Sequence, residues 1–273
     1  MSDQIPIKEY HADTRRVTSS MLKALNQSPR YYEAKYITKT IPSVSSPSML
    51  IGSAVHCLAL EPDEFDKRYV VCPFSNRRTK AYKEWASEEK RDVLTGVEMG
   101  KVRKAANALF THPFIKAVLE APGKVEHTLE WDCPNTNLPC KARPDKLSGS
   151  VVLDIKTTQN CSRTSFERSV SDYGYYLQQE HYLRGAYACE GSEDPMFMFA
   201  VVETLPPFRV RAMRLDAESE GIGHEAYDRL IAELAERMRD DNWSDPEEKE
   251  LIDISLPKWE KNQWKSKFLS NNN

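Results

Sequence analysis

A chain of 273 residues, 40% of them hydrophobic, can bury a sizeable core and suits one large domain or two small ones. Its 38 basic and 41 acidic residues leave a net charge of −3, so affinity for nucleic acid is not carried by the overall balance and any basic surface must be local. No apolar secretory stretch opens the sequence and no run of about eighteen uncharged apolar residues occurs, which argues against membrane insertion and makes the cytoplasm the expected location.

Thr18 or Ser19 is placed to cap a helix carrying Met21, Leu22 and Leu25, continued past Pro29 by Tyr32 and Tyr36. A Pro/Ser-rich break at 42 to 48 precedes an apolar helix from about Ser48 to Leu60, which should stop before Pro62. Residues 63 to 80 read as a loop and 80 to 120 as charged helices broken near Gly96 to Gly100 and at His112-Pro113. From Lys124 the pattern alternates, giving strands at about 125 to 132, 139 to 147 and 151 to 157. Helices at 162 to 172 and 175 to 190, strands at Met196 to Glu203 and Phe208 to Leu215, and a helix capped by Asp216 and running to about Arg239 complete the pattern. The tail, with Trp243, Trp259 and Trp264, has no clear period. No linker divides the chain, so 1–273 reads as a single domain: a mainly helical part at 18–120, a sheet core at 121–215, and a C-terminal helix and tail at 216–273.

Basic residues gather at Arg77, Arg78 and Lys80, at Lys101, Arg103 and Lys104, and from Lys258 to Lys267; each group is also readable as a solvated face. The six cysteines form no CxxC pair, which disfavours a zinc ribbon or a cluster and leaves mostly buried thiols.

Loop lengths set the strand registers. A two-residue Gly149-Ser150 turn of type II′ puts Asp145 across from Asp154. A four-residue loop from Pro134 to Asn137 pairs Cys133 with Leu138 and brings Glu126 opposite Asp145. Thr128, Arg143 and Lys156 form the next row, and Glu130 meets Lys141. The other face collects His127, Leu129, Trp131, Cys140, Ala142, Pro144, Val151, Leu153 and Ile155 as one apolar set.

Facing carboxylates repel, so a positive group should sit among them, and a hard divalent ion with oxygen ligands meets that need. Lys156 projects from the same side as Asp154, where an ammonium can orient a water and stabilise charge on phosphorus. The bland alternative is that Asp145 and Asp154 flank a hairpin and pair with Lys146 and Arg143.

Arg143-Pro144-Asp145, then eight residues, then Asp154-Ile155-Lys156 resembles the PD-(D/E)XK nuclease signature. Gly52-Ser53-Ala54-Val55-His56 resembles the G-x-x-x-H helix of this superfamily, Gln178 with Tyr182 its Q-x-x-x-Y helix, and the segment from Ser20 to Tyr32 its N-terminal helix. More narrowly the chain is similar to RecE-type exonucleases of phages and prophages, and to the wider group containing the RecB nuclease domain and lambda exonuclease. It implies an α/β fold of the restriction-endonuclease type, with a central mixed sheet of about five strands flanked by helices and N-terminal helical additions.

Carried over residue by residue, the resemblance implies Asp145, Asp154, His56 and the Ile155 carbonyl as metal ligands, Lys156 as the water-orienting group, and Glu126, Gln178 and Tyr182 as further site residues. His56 is equally readable as a core histidine, and Gln178 with Tyr182 as a surface pair. The implied cofactor is Mg²⁺, with Mn²⁺ able to substitute, and no iron-sulfur cluster. The implied reaction is 5′-to-3′ hydrolysis of linear double-stranded DNA in phage-type recombination, in a bacterial host's cytoplasm. A homo-oligomeric ring, tetramer or trimer, beside a single-strand annealing recombinase is the implied assembly. Arg77, Arg78, Lys80 and Arg143 are the expected DNA contacts. An endonuclease or single-strand nuclease, and a non-catalytic DNA-binding or assembly subunit, stand as alternatives.

Overall fold

The computed structural model describes residues 7–42, 46–74, 76–245, 248 and 250–270, so the expected break at 42 to 48 lies partly outside it. Helix α1 (Ile7–Ala12) precedes α2 (Ser19–Gln27), where the Thr18 hydroxyl accepts from the Met21 N–H and Met21, Leu22 and Leu25 turn inward. Ser28 caps α3 (Pro29–Tyr32), which runs on into a π-helical turn ending at Ile37. Helix α4 (Pro47–Leu60), capped by Ser46, stops before Pro62 as expected.

Residues 63 to 80 are not simply a loop. They hold α5 (Pro62–Arg68) and β1 (Tyr69–Val71), and β1 pairs in parallel with β2 (Asp92–Leu94) across α6 (Lys80–Glu88). Strands of three residues with no hairpin between them leave almost no alternation to detect. Helices α7 (Gly96–Leu109), opened by a Thr95/Glu98 capping box, and α8 (Pro113–Glu120) follow.

The three strands expected after Lys124 are five: β3 (Lys124–Val125), β4 (Leu129–Asp132), β5 (Pro139–Ala142), β6 (Lys146–Ser148) and β7 (Val151–Thr158). The registers agree with those set by loop length: Lys124 pairs with Leu147, Leu129 with Ala142 and Lys146 with Leu153. Gly149 takes the positive φ of +56 that the turn requires. Two interruptions divide the strands. Glu126 sits in the left-handed region at φ +49, and Pro144 offers no N–H to continue a ladder. Beyond β7 come α9 (Arg163–Asp172), α10 (Tyr175–Glu190), β8 (Met196–Glu203), β9 (Val210–Met213), α11 (Ala217–Asp240) capped by Asp216, and α12 (Lys258–Ser270) in the tail.

The central five-stranded sheet has the order β3-β6-β7-β8-β9, with β7 and β8 parallel and the other pairs antiparallel. The class is therefore mixed α/β, with helices on both faces. Hairpin β4-β5 stands apart from this sheet. Alternation along β8 splits two cores: Phe197, Phe199 and Val201 pack with α2, α10 and α11, whereas Met198, Ala200 and Val202 pack with α4, α7 and α8. Each of the larger buried side chains contributes roughly 2 kcal/mol.

This division corrects the single apolar face expected for the hairpins. Leu129, Trp131, Cys140 and Ala142 join the first core, but Leu153 and Ile155 join the second. Glu130 does pair with Lys141 along the backbone, yet the Lys141 ammonium turns away to the carbonyls of Tyr10 and Asp13, at 2.6 and 2.7 Å, while Arg16 meets Glu130. Among the described residues no helix is long and apolar enough to cross a membrane.

Candidate active site

Where β6 ends, β7 needs a new partner, and a side chain supplies it. The Asp145 carboxylate accepts the Ile155 N–H at 2.5 Å, while the Asp145 carbonyl accepts from the Glu126 N–H at 3.1 Å. The left-handed turn at Glu126 then carries its side chain back toward Asp145. Helix α4 closes on the same spot: a Cβ at Gly52 would sit 3.0 Å from the Thr157 hydroxyl, so glycine lets the helix lie close to β7. One turn further along α4, His56 Nδ1 is 3.3 Å from Asp145 Oδ2. His56, Glu126 and Asp145 each offer an atom within 4.8 Å of the others.

A second group lies across β7. Gln178 of α10 donates Nε2 to Asp154 Oδ1 at 2.8 Å, and its Oε1 accepts from Lys156 at 3.2 Å. The Lys156 ammonium also lies 2.5 Å from Asp154 Oδ2 without the angle of a hydrogen bond, and that oxygen has no other donor among the described residues. Tyr182, one turn beyond Gln178, faces the same acids, and burial ahead of Asp154 and Asp145 raises its phenol well above the ordinary range. Lys156 lines an open cavity of about 440 Å³ together with Lys101, Tyr173 and Tyr175.

The electrostatics follow from burying so many charges together. Burial and Asp145 push Glu126 up to about 8. Burial pulls His56 down, but Asp145, Asp154 and Glu126 outweigh it and raise the imidazole to about 8. Asp145 is held low, because His56 and Lys156 outweigh its burial. Asp154 is raised by burial and by Asp145 against the pull of Lys156. Each shift registers charges that lack water and compete for counterions.

This donor set fits a divalent cation. Two carboxylates and an imidazole can together hold a divalent cation, whose charge would offset the burial and the Asp145 repulsion that raise Glu126. Asp154 stands outside the gathered trio and lies against Lys156. The bland alternative for these acids fails on geometry: Lys146 donates to the Leu119 carbonyl and Arg143 to the Thr128 hydroxyl. Ile155 contributes its N–H, and its side chain is core.

The expected DNA contacts divide. Arg143 is only 7% exposed, donates to the Thr128 hydroxyl and lies over the Tyr10 ring at 4.4 Å, contacts that hold it against the hairpin. Arg77 is likewise committed, to Glu98, the Tyr82 hydroxyl and the Val93 carbonyl. Arg78 is exposed, and Lys80 is exposed beside Glu84. Lys23 of α2 escaped the sequence reading. Its ammonium shares Gln178 Oε1 at 3.2 Å and lies over the Tyr175 ring with that of Lys156. Burial and Lys156 bring it down to about 7. Nothing local marks a lysine on a capped amphipathic helix as buried.

No curated protein matches the chain. Among solved structures, a candidate exonuclease from Eubacterium rectale aligns over 93% of this chain and 96% of its own, with a TM-score of 0.62 and 12% identity, a likeness that establishes the fold. The structure of SSO0001 aligns over 68% of this chain and 85% of its own at 14% identity, but its TM-score of 0.27 carries no argument. The profile of the family described as a PDDEXK-like domain of unknown function (DUF3799) matches residues 18–254. The chain belongs to this PDDEXK-like family.

Proposed function

We propose that the protein is a Mg²⁺-dependent deoxyribonuclease hydrolysing phosphodiesters at the ends of linear double-stranded DNA. The observation that carries this reading is the gathering of His56, Glu126 and Asp145 beside the Asp154–Lys156–Gln178 group. A divalent cation, when bound, supplies the charge that polarises a phosphate and makes a water acidic. His56, Glu126 and Asp145 would hold it, with Asp154 and the Ile155 carbonyl as further candidate ligands. Lys156, at the wall of the cavity, is placed to orient the attacking water and to stabilise charge developing on the phosphoryl oxygens. Gln178 keeps Asp154 and Lys156 in register by donating to one and accepting from the other. Tyr182 walls the site on the α10 side.

The exonuclease reading, its 5′-to-3′ direction, a ring-shaped oligomer and an annealing partner rest on the resemblance to RecE-type enzymes. One comparison tests the substrate: incubation with Mg²⁺ should degrade linear plasmid and spare the covalently closed form. Degradation of both at equal rates would identify an endonuclease.

A further inference from the structure

Helix α12 begins at Lys258, beyond residue 254, where the family match ends, and none of its described residues belongs to either core. It carries Lys258, Lys261, Lys265 and Lys267 against a single acid, Glu260, in a chain whose net charge is −3. Its aromatic side chains face solvent: Trp259 is 68%, Trp264 47% and Phe268 66% exposed.

The placement of these groups narrows the partner. Lys261, Trp264, Lys265 and Phe268 follow the i, i+3, i+4, i+7 spacing of one helical face, so ammonium groups and rings share a single stripe. The Trp264 and Phe268 rings are 6.0 Å apart, and the Lys267 ammonium lies 4.6 Å from the centre of the Trp264 ring. A helix bound for an apolar groove or a lipid surface would segregate its rings from its charges. Interleaved lysines and open rings suit a polyanion that carries flat apolar groups. Single-stranded nucleic acid has that chemistry, with phosphates for the lysines and bases for the rings.

We infer that α12 is a second nucleic-acid contact, separate from the catalytic cavity, which holds a single strand by stacking bases on Trp264 and Phe268 while Lys261 and Lys265 pair with its phosphates. The inference deepens the nuclease reading and rests on it for the choice of DNA. A strand held there keeps the substrate near the protein between cleavage events.

The test uses the full chain carrying Asp154→Ala, so that DNA survives the titration, and follows the fluorescence anisotropy of labelled oligothymidylate against salt. Adding Trp264→Ala should weaken binding about tenfold. The same change should leave binding of an abasic oligomer of equal length almost untouched. Lys261→Gln with Lys265→Gln should lower the slope of log affinity against log salt by about 1.4, and the Arg pair should restore it. Unchanged affinity and slope in these variants overturn the inference. So does an effect confined to self-association in sedimentation, which would make α12 a contact between copies of this chain. Hydrolysis of linear duplex by protein with Asp154 intact tests the nuclease reading separately, and its persistence without an α12 effect would sink this inference alone.

Discussion

Gln178 donates its amide to Asp154 at 2.8 Å while its carbonyl oxygen takes hydrogen bonds from Lys156 and Lys23, so one side chain fixes an acid and two bases. Gln178→Leu removes all three restraints without adding charge. Hydrolysis by this variant should fall about 10- to 100-fold, as when groups supporting a metal site are lost, with the fold retained by circular dichroism. An unchanged rate would show that Asp154 and Lys156 need no such support.

Lys23 presents a trade between stability and function. Its ammonium is half-buried, and among the described residues no carboxylate lies within ion-pair distance of it. Lys23→Met should therefore raise stability by about 1 kcal/mol in urea melts and slow hydrolysis at saturating DNA. A variant that is less stable and equally active would contradict this account of Lys23.

Cation binding should release protons. In the absence of metal, Glu126 and His56 both titrate at about 8, so both carry a proton at pH 7, and a cation needs the Glu126 carboxylate and a neutral imidazole. Calorimetry with Mn²⁺ at pH 7, in buffers of different ionisation enthalpy, should report release of about one to two protons. Affinity should rise with pH up to about 8 and then level off. Binding with no proton release would mean that these residues are not the ligands.

His181 sets part of the acid limit of the fold. It is buried between the Tyr227 hydroxyl and the Lys141 carbonyl, and burial, aided by Arg184 and Lys23, lowers its pKa to about 4. The unfolded chain binds the proton more tightly, near pH 6.5, so the neutral ring's contribution is complete above 6.5 and is lost as pH falls through about 4. The loss is on the order of 3 kcal/mol. Urea melts at pH 7 and pH 4.5 should show a steeper decline for wild type than for His181→Asn. Equal declines would assign the acid sensitivity to other groups.

Much of the site was legible because loop lengths dictate strand register. The Gly149-Ser150 turn and the loop at 134 to 137 were sufficient to bring Glu126, Asp145 and Asp154 into neighbouring positions. What stayed hidden depends on breaks that periodicity does not register. The left-handed Glu126 and the missing N–H of Pro144 let β4-β5 leave the main sheet, which turned Arg143 onto Tyr10 and divided the expected apolar face. Lys23 was hidden for another reason: its burial comes from α10, 155 residues away in sequence, and not from its own helix. The RPD and DIK motifs, by contrast, carry their chemistry in adjacent residues.

The most direct test measures release of labelled nucleotide from end-labelled linear duplex in Mg²⁺ by wild type, Asp154→Ala and Lys156→Ala. Wild type should hydrolyse the duplex, and each variant should lose at least about a hundredfold in rate while keeping the wild-type circular dichroism spectrum and DNA affinity. Equal hydrolysis by all three proteins, or none by wild type with either Mg²⁺ or Mn²⁺, would contradict the assignment of this acidic cluster as a nuclease centre.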